Sequence, residues 1–159
     1  MSELSNANAK VVGERIRTWN ANAVAEIIEY RGEITIVVPK ELLCATAKYC
    51  KENPDLNFNL LSDVTCVDRF PIEPRFELNY QLVSIPRRER IRLRTAVTAE
   101  TPVVDSLMPV WPGANWLERE VFDLFGIRFE GHTDLRRILL PEGFVGAPLR
   151  RDFPTEGQR

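Results

Sequence analysis

One histidine, three cysteines, two methionines and four lysines are all that 159 residues offer of those types, and no Cys-x-x-Cys pair is present. A zinc or iron–sulfur site needs about four soft ligands at short spacings. Cys44 and Cys50 lie six apart on a predicted helix, Cys66 falls on a predicted strand, and His132 is far from all three. No metal ligand set is therefore expected. The eight glycines are scattered, with neither G-x-G-x-x-G nor G-x-x-x-x-G-K-[ST] among them, which argues against a nucleotide loop. No window reaches the ~18–20 apolar residues of a membrane span. The opening MSELSNANAKVVGERIR suits neither a secretory signal nor an organelle transit peptide. An odd cysteine count in a chain of this size points to a reducing compartment. A basic excess is missing too: Lys plus Arg make 21 against 23 Asp plus Glu, so nothing in the balance calls for nucleic acid.

What is present is the composition of a soluble globular domain, 44% hydrophobic and 28% charged. Arginine supplies 17 of the 21 basic residues, a bias that suits fixed contacts to carboxylates at interfaces. Val12, Ile16 and Trp19 keep helical spacing over residues 9–20. Val24–Tyr30 and Glu33–Val38 are β-rich, and only Arg31-Gly32 separates them, which predicts a tight hairpin. Pro39 opens a second helix through Leu42, Leu43, Thr46, Tyr49 and Cys50, and Asn53-Pro54 ends it. Three further strands follow at 58–67, 75–85 and 88–97. In the second, Phe76, Leu78, Tyr80 and Leu82 alternate with Glu77, Asn79 and Gln81. In the third, Ile91, Leu93, Thr95 and Val97 alternate with Arg88, Arg90, Arg92 and Arg94. The expected fold is two-layer α+β, with helices on one face of a mixed, mostly antiparallel five-stranded sheet in the order α-β2-α-β3.

Six of the 11 prolines and six of the eight glycines fall after residue 100. That shift divides the chain into a core domain (1–100), a helical segment (101–126) and an extended C-terminal arm (127–159). In the middle segment Asn115 is the expected N-cap of a helix, with Glu118 as its capping-box partner and Gly126 as the left-handed C-cap. Arg119 and Asp123 stand at i, i+4. From 115 to 153 charges alternate with large apolar residues in no amphipathic period, so the arm has to lie along another surface, its own domain's or a partner's. Two other readings stay open on these residues: a small enzyme built around His132, and a nucleic-acid module built on the stripe Arg88–Arg94. A docking face with matching carboxylates suits that stripe better.

The segment Glu118-Arg119-Glu120, Asp123-Leu124-Phe125-Gly126-Ile127, Phe129, Gly131-His132, Asp134-Leu135-Arg136-Arg137-Ile138-Leu139, Pro141-Glu142, Gly146, Pro148-Leu149-Arg150 and Asp152-Phe153-Pro154 resembles the 30-kDa subunit family, lettered C in bacteria, of the proton-pumping NADH–quinone oxidoreductase, respiratory complex I. The resemblance covers about 40 residues without a gap. Thr133 stands where the family usually has proline, and the chain is short for the family. The resemblance implies a hetero-oligomeric, non-catalytic scaffold of the bacterial type, peripheral at the cytoplasmic face of the cell membrane, whose membrane contact is indirect. It implies no cofactor in this chain, with FMN and iron–sulfur clusters held elsewhere in the complex. The implied partners are the quinone-site subunit, lettered D, and adjacent cluster-bearing subunits, with no nucleic acid. It also implies a structural and docking set: Glu118, Arg119, Glu120, Asp123 and Gly126 fixing the helix, and His132, Asp134, Arg136, Arg137, Arg150 and Asp152 fixing the arm, those at 132, 136, 137, 150 and 152 to the partner. F420H2 dehydrogenase and the photosynthetic NDH complex carry relatives with the same motif.

Overall fold

Strand alternation and two helical stripes are enough to generate most of the architecture. The computed structural model describes residues 5, 6 and 9–156. In chain order the elements are β1 (Ser5–Asn6), α1 (Ala9–Trp19), β2 (Glu26–Tyr30), β3 (Glu33–Val37), α2 (Leu43–Glu52), β4 (Leu60–Asp68), β5 (Phe76–Ser84), β6 (Glu89–Val97), β7 (Val103–Asp105), α3 (Ala114–Phe125) and β8 (Arg128–Glu130). The β2–β3 hairpin turns on Arg31 and Gly32, both with positive φ (51° and 76°), the conformation that matches the twist of a two-residue hairpin.

The main sheet runs β2-β3-β6-β5-β4, with β4-β5-β6 an antiparallel meander and β3 parallel to β6. The short β1 also pairs parallel with β6, at Glu89 and Arg90, so the sheet has six strands where five were expected. A two-residue strand has no alternation to betray it. Ile36, Leu93, Tyr80 and Val64 lie across one face of this sheet and are buried, together with Val12 and Ile16 of α1, Leu43, Ala47 and Cys50 of α2, and Val121 of α3. That single core confirms the α+β class with the helices on one face. The other face carries the rows Ile28–Thr35–Arg92–Gln81–Asp63 and Glu26–Val37–Arg94–Asn79–Thr65.

A second, two-stranded sheet pairs β7 parallel with β8. Parallel neighbours need a long crossover, and here it holds α3, buried on its Val121 side with Val104, Ile127 and Phe129 around it. This β-α-β unit fixes α3 against β4 and delivers the chain to the arm. Beyond Glu130, no helix or strand occurs among the described residues.

Candidate docking site

Helix α3 begins two residues earlier than expected, at Ala114, with Gly113 in place of Asn115 as its N-cap and no side-chain cap hydrogen bond. Asn115 is therefore inside the first turn, and the expected capping box is not formed. Glu118 turns instead to the preceding loop, where its carboxylate accepts from Ser106 Oγ (2.6 Å) and the Leu107 N–H (2.7 Å). It is fully buried and makes no ion pair among the described residues, and burial pushes its carboxyl up to about 7, against the opposing pull of those two donors. Gly126 does close the helix in the left-handed region (φ 71°), its N–H donating to the Phe122 carbonyl.

The i, i+4 pair Arg119–Asp123 is also not made, because both side chains are drawn to the arm. Asp123 Oδ2 accepts three successive backbone N–H groups, from Ile138, Leu139 and Leu140 (3.0, 2.8 and 2.9 Å), while Oδ1 meets Arg137 at 2.6 Å. Burial alone would raise the Asp123 carboxyl; the N–H of Leu140, the Arg137 guanidinium and the N–H groups of Leu139 and Ile138 outweigh it and hold the group below its ordinary value. Arg137 reaches on to the carbonyls of Phe144 (2.9 Å) and Gly146 (3.2 Å). Arg119 donates to the carbonyls of Arg136 and Arg137 beneath the Trp116 ring, with Asp134 at 3.9 Å. One buried carboxylate and one buried guanidinium thus bind the backbone of 136–140 as a caliper would.

The end of the arm has its own anchor. Arg75, buried between the rings of Phe70 and Phe76, pairs with Asp68 through Nε (2.8 Å) and Nη2 (2.7 Å). It reaches Asp152 through Nη1 (3.0 Å) and Nη2 (2.6 Å). The Arg75 guanidinium holds the carboxyls of both Asp68 and Asp152 below the usual carboxylate range. The Arg151 N–H also donates to Asp68 (2.8 Å), and Arg150 caps α3 through the Phe125 carbonyl (2.6 Å) while lying over the Phe76 ring.

Of the candidate residues, then, Asp123, Arg119, Arg137, Arg150 and Asp152 come together along one seam between α3, the β4–β5 connection and the arm, all engaged within this chain. His132 lies at the seam's edge, its Nδ1 accepting the Asp134 N–H (3.0 Å) and its Nε2 facing the Asn115 carbonyl (3.2 Å). Both ring nitrogens are thereby taken by backbone groups, which is an orienting role. Arg136 and Glu120 are exposed, Arg136 pairing with Asp134 at 2.9 Å. The motif missed Asp68, Arg75 and Ser106. Their signal, an Asp and an Arg at opposite ends of a proline-bearing loop, has no meaning until β4 and β5 pair. Among the described residues no group of three or more His, Cys, Asp or Glu is placed to hold a metal ion. Burial pushes the Cys50 and Cys66 thiols up to about 12, the chemistry of packed rather than reactive cysteines.

The fold class is an α+β body with a C-terminal arm stapled to it by polar contacts, and likeness to known proteins gives its family. Residues 36–159 match the family model described as the respiratory-chain NADH dehydrogenase 30 Kd subunit. The chain is 43% identical over 157 residues to the C-lettered NADH-quinone oxidoreductase subunit of Geotalea uraniireducens, covering 99% of this chain and 93% of that one. It is 44% identical over 138 residues to that of Geobacter sulfurreducens, covering 86% and 84%. A solved structure titled as Nqo5 of the trypsin-resistant fragment (1-134) superposes with a TM-score of 0.69 at 34% identity, over 79% of this chain and 98% of that one. A chain of the membrane-bound sulfane sulfur reductase, an archaeal respiratory membrane complex, superposes with a TM-score of 0.76 at 25% identity, over 94% and 87%. The chain belongs to the 30-kDa subunit family of respiratory NADH dehydrogenase, complex I.

Proposed function

We propose that this chain is a non-catalytic scaffold in the peripheral arm of a bacterial NADH–quinone oxidoreductase, and that its C-terminal arm docks on the quinone-site subunit near the cluster-bearing subunits. In that complex electrons pass from NADH through FMN and iron–sulfur clusters to quinone, coupled to proton translocation, on the cytoplasmic face of the membrane. One observation carries the reading. Most of the charged motif residues are spent inside the chain, and the arm they shape turns apolar residues outward: Leu139, Val145 and Leu149 are 61, 64 and 51% exposed, beside Trp116 at 61%. A rigid backbone displaying aliphatic and aromatic side chains is what a permanent partner buries. No helix among the described residues is long and apolar enough to cross a membrane. On this reading the chain meets the membrane only through its partners.

The test is Leu139→Asp with Leu149→Asp in the full chain. The double variant is expected to fold, because both side chains are exposed, and to be lost from the complex. Retention at the wild-type level would contradict arm docking. The purified chain alone is expected to be colourless and to oxidise no NADH. The likeness to the sulfane sulfur reductase chain favours, as a second reading, the same scaffold serving a different electron donor, as in F420H2 dehydrogenase or the photosynthetic NDH complex. The donor that reduces the purified complex separates the two.

A further inference from the structure

The arginine stripe of β6 plays no part in the arm. Side chains two apart on a strand stand about 7 Å from each other on the same face, so Arg90, Arg92 and Arg94 form a row along the middle of the sheet. The helices all pack on the opposite face, and cavities of about 820 and 280 Å³ open on this one. Its neighbours treat the three arginines unequally. Glu33 takes Arg92 at 2.8 Å and approaches Arg90 at 3.8 Å. The Gln81 amide, with its oxygen toward β6, accepts from Arg92 Nε at 2.7 Å. Arg94 is flanked across the sheet by Val37 and Asn79, neither acidic, and its Nε donates to the neutral Asn79 Oδ1 at 3.2 Å. Glu26, the acidic residue of its row, is a further strand away, roughly 10 Å.

Beneath the guanidiniums Thr35 and Asn79 are buried although they lie on the open face. Arg92 and Arg94 are thus laid over the sheet by hydrogen bonds, and they wall the smaller cavity together with Glu29, Glu33, which is already paired with Arg92, and Tyr30, which is 65% exposed at its rim. Arg and Tyr are the residues most enriched in the energetic centres of protein interfaces, and a planar guanidinium held in place is preorganised for a carboxylate.

We propose that this uncovered sheet face is a second docking surface, separate from the arm, whose occupant is a carboxylate-bearing protein segment that pairs with Arg94 and packs on Tyr30. The proposal rests on the scaffold reading and adds a contact on the far side of the sheet. A subunit gripped on two faces bridges neighbours instead of decorating one.

The test uses the assembled complex bound through a tag on another subunit, with Arg94→Gln and the pair Arg92→Gln/Arg94→Gln in this chain. The wild-type chain is expected to stay bound to a given NaCl concentration, and the variants to leave at half of it or less. Phenylglyoxal is expected to modify Arg94 at least tenfold more slowly in the wild-type complex than in the isolated chain. Equal modification rates in complex and isolated chain would overturn the proposal, and that comparison needs no variant to fold. Binding of a duplex DNA oligonucleotide by the wild type and not by the variants would give the face to nucleic acid and overturn it too. If the wild-type chain is absent from the complex, the scaffold reading itself fails, an outcome distinct from the others.

Discussion

Asp123 does more per atom than any other residue in the seam. Its two oxygens satisfy three backbone N–H groups and one guanidinium, so Asp123→Ala leaves the half-buried Arg137 and an unpaired backbone turn together. The expected cost is roughly 3–5 kcal/mol, read from the urea midpoint. Gly126 is constrained twice. Its φ of 71° is a conformation that costs other residues about 1–2 kcal/mol, and an added Cβ would come 2.9 Å from Arg150 Nη2. Gly126→Ala is expected to lower stability by at least the backbone term, because the Arg150 guanidinium has to shift away from the new methyl as well. Glu118 gives a pH signature. Its carboxyl titrates near 7 in the fold and near 4.5 when unfolded, so the native state holds the extra proton between those values. Stability should therefore fall as pH rises from about 4.5 to 7, by at most about 3 kcal/mol. Asp68 has the opposite sign: depressed in the fold by Arg75, it contributes stability above its ordinary value that is lost as pH falls below about 4. Thermal melts across pH should show a maximum in the mildly acidic range, and Glu118→Gln should remove the slope on its neutral side only.

The elements that repeat were legible, and those that do not repeat were not. Leu78/Tyr80/Leu82 and Ile91/Leu93 announced β5 and β6 because alternation is what half-buried strands require, and Arg31-Gly32 announced the hairpin. Nothing local announced β1, or the pairing of β7 with β8 across the whole of α3, since short parallel strands leave neither a turn nor a run. The motif residues were legible as a set but not in their partners. Glu118 looked like a cap because Asn115 precedes it by three. Only the fold shows that Ser106 and Leu107 present better donors, and that Asp123 prefers three N–H groups of the arm to Arg119. The two anchors of the arm make separate predictions. In hydrogen exchange on the isolated chain, Asp152→Asn is expected to speed exchange of the Arg151 and Phe153 amides while those of Ile138–Leu140 keep their protection; Asp123→Ala should release the latter. Equal release of both segments by either variant would show one cooperative arm without separate anchors.

At the scale of the molecule, the chain is a sheet with three kinds of surface: a helical layer that closes the core, a stapled arm that displays apolar side chains, and an open face lined by arginine. The relatives from complex I match along nearly the full length, the Cys50 and Cys66 thiols are pushed up by burial, and both ring nitrogens of His132 face backbone groups. On the proposed scaffold reading, this chain works only as part of a quinone-reducing assembly. Recovery of the tagged chain from gently solubilised host membranes, with partners identified by mass and NADH–quinone activity assayed, puts that to the sharpest test. The expected product is a multi-subunit, quinone-reducing complex in which a flavin and iron–sulfur spectrum belongs to the partners. Recovery of this chain by itself, with no quinone reductase activity in the eluate, would contradict it.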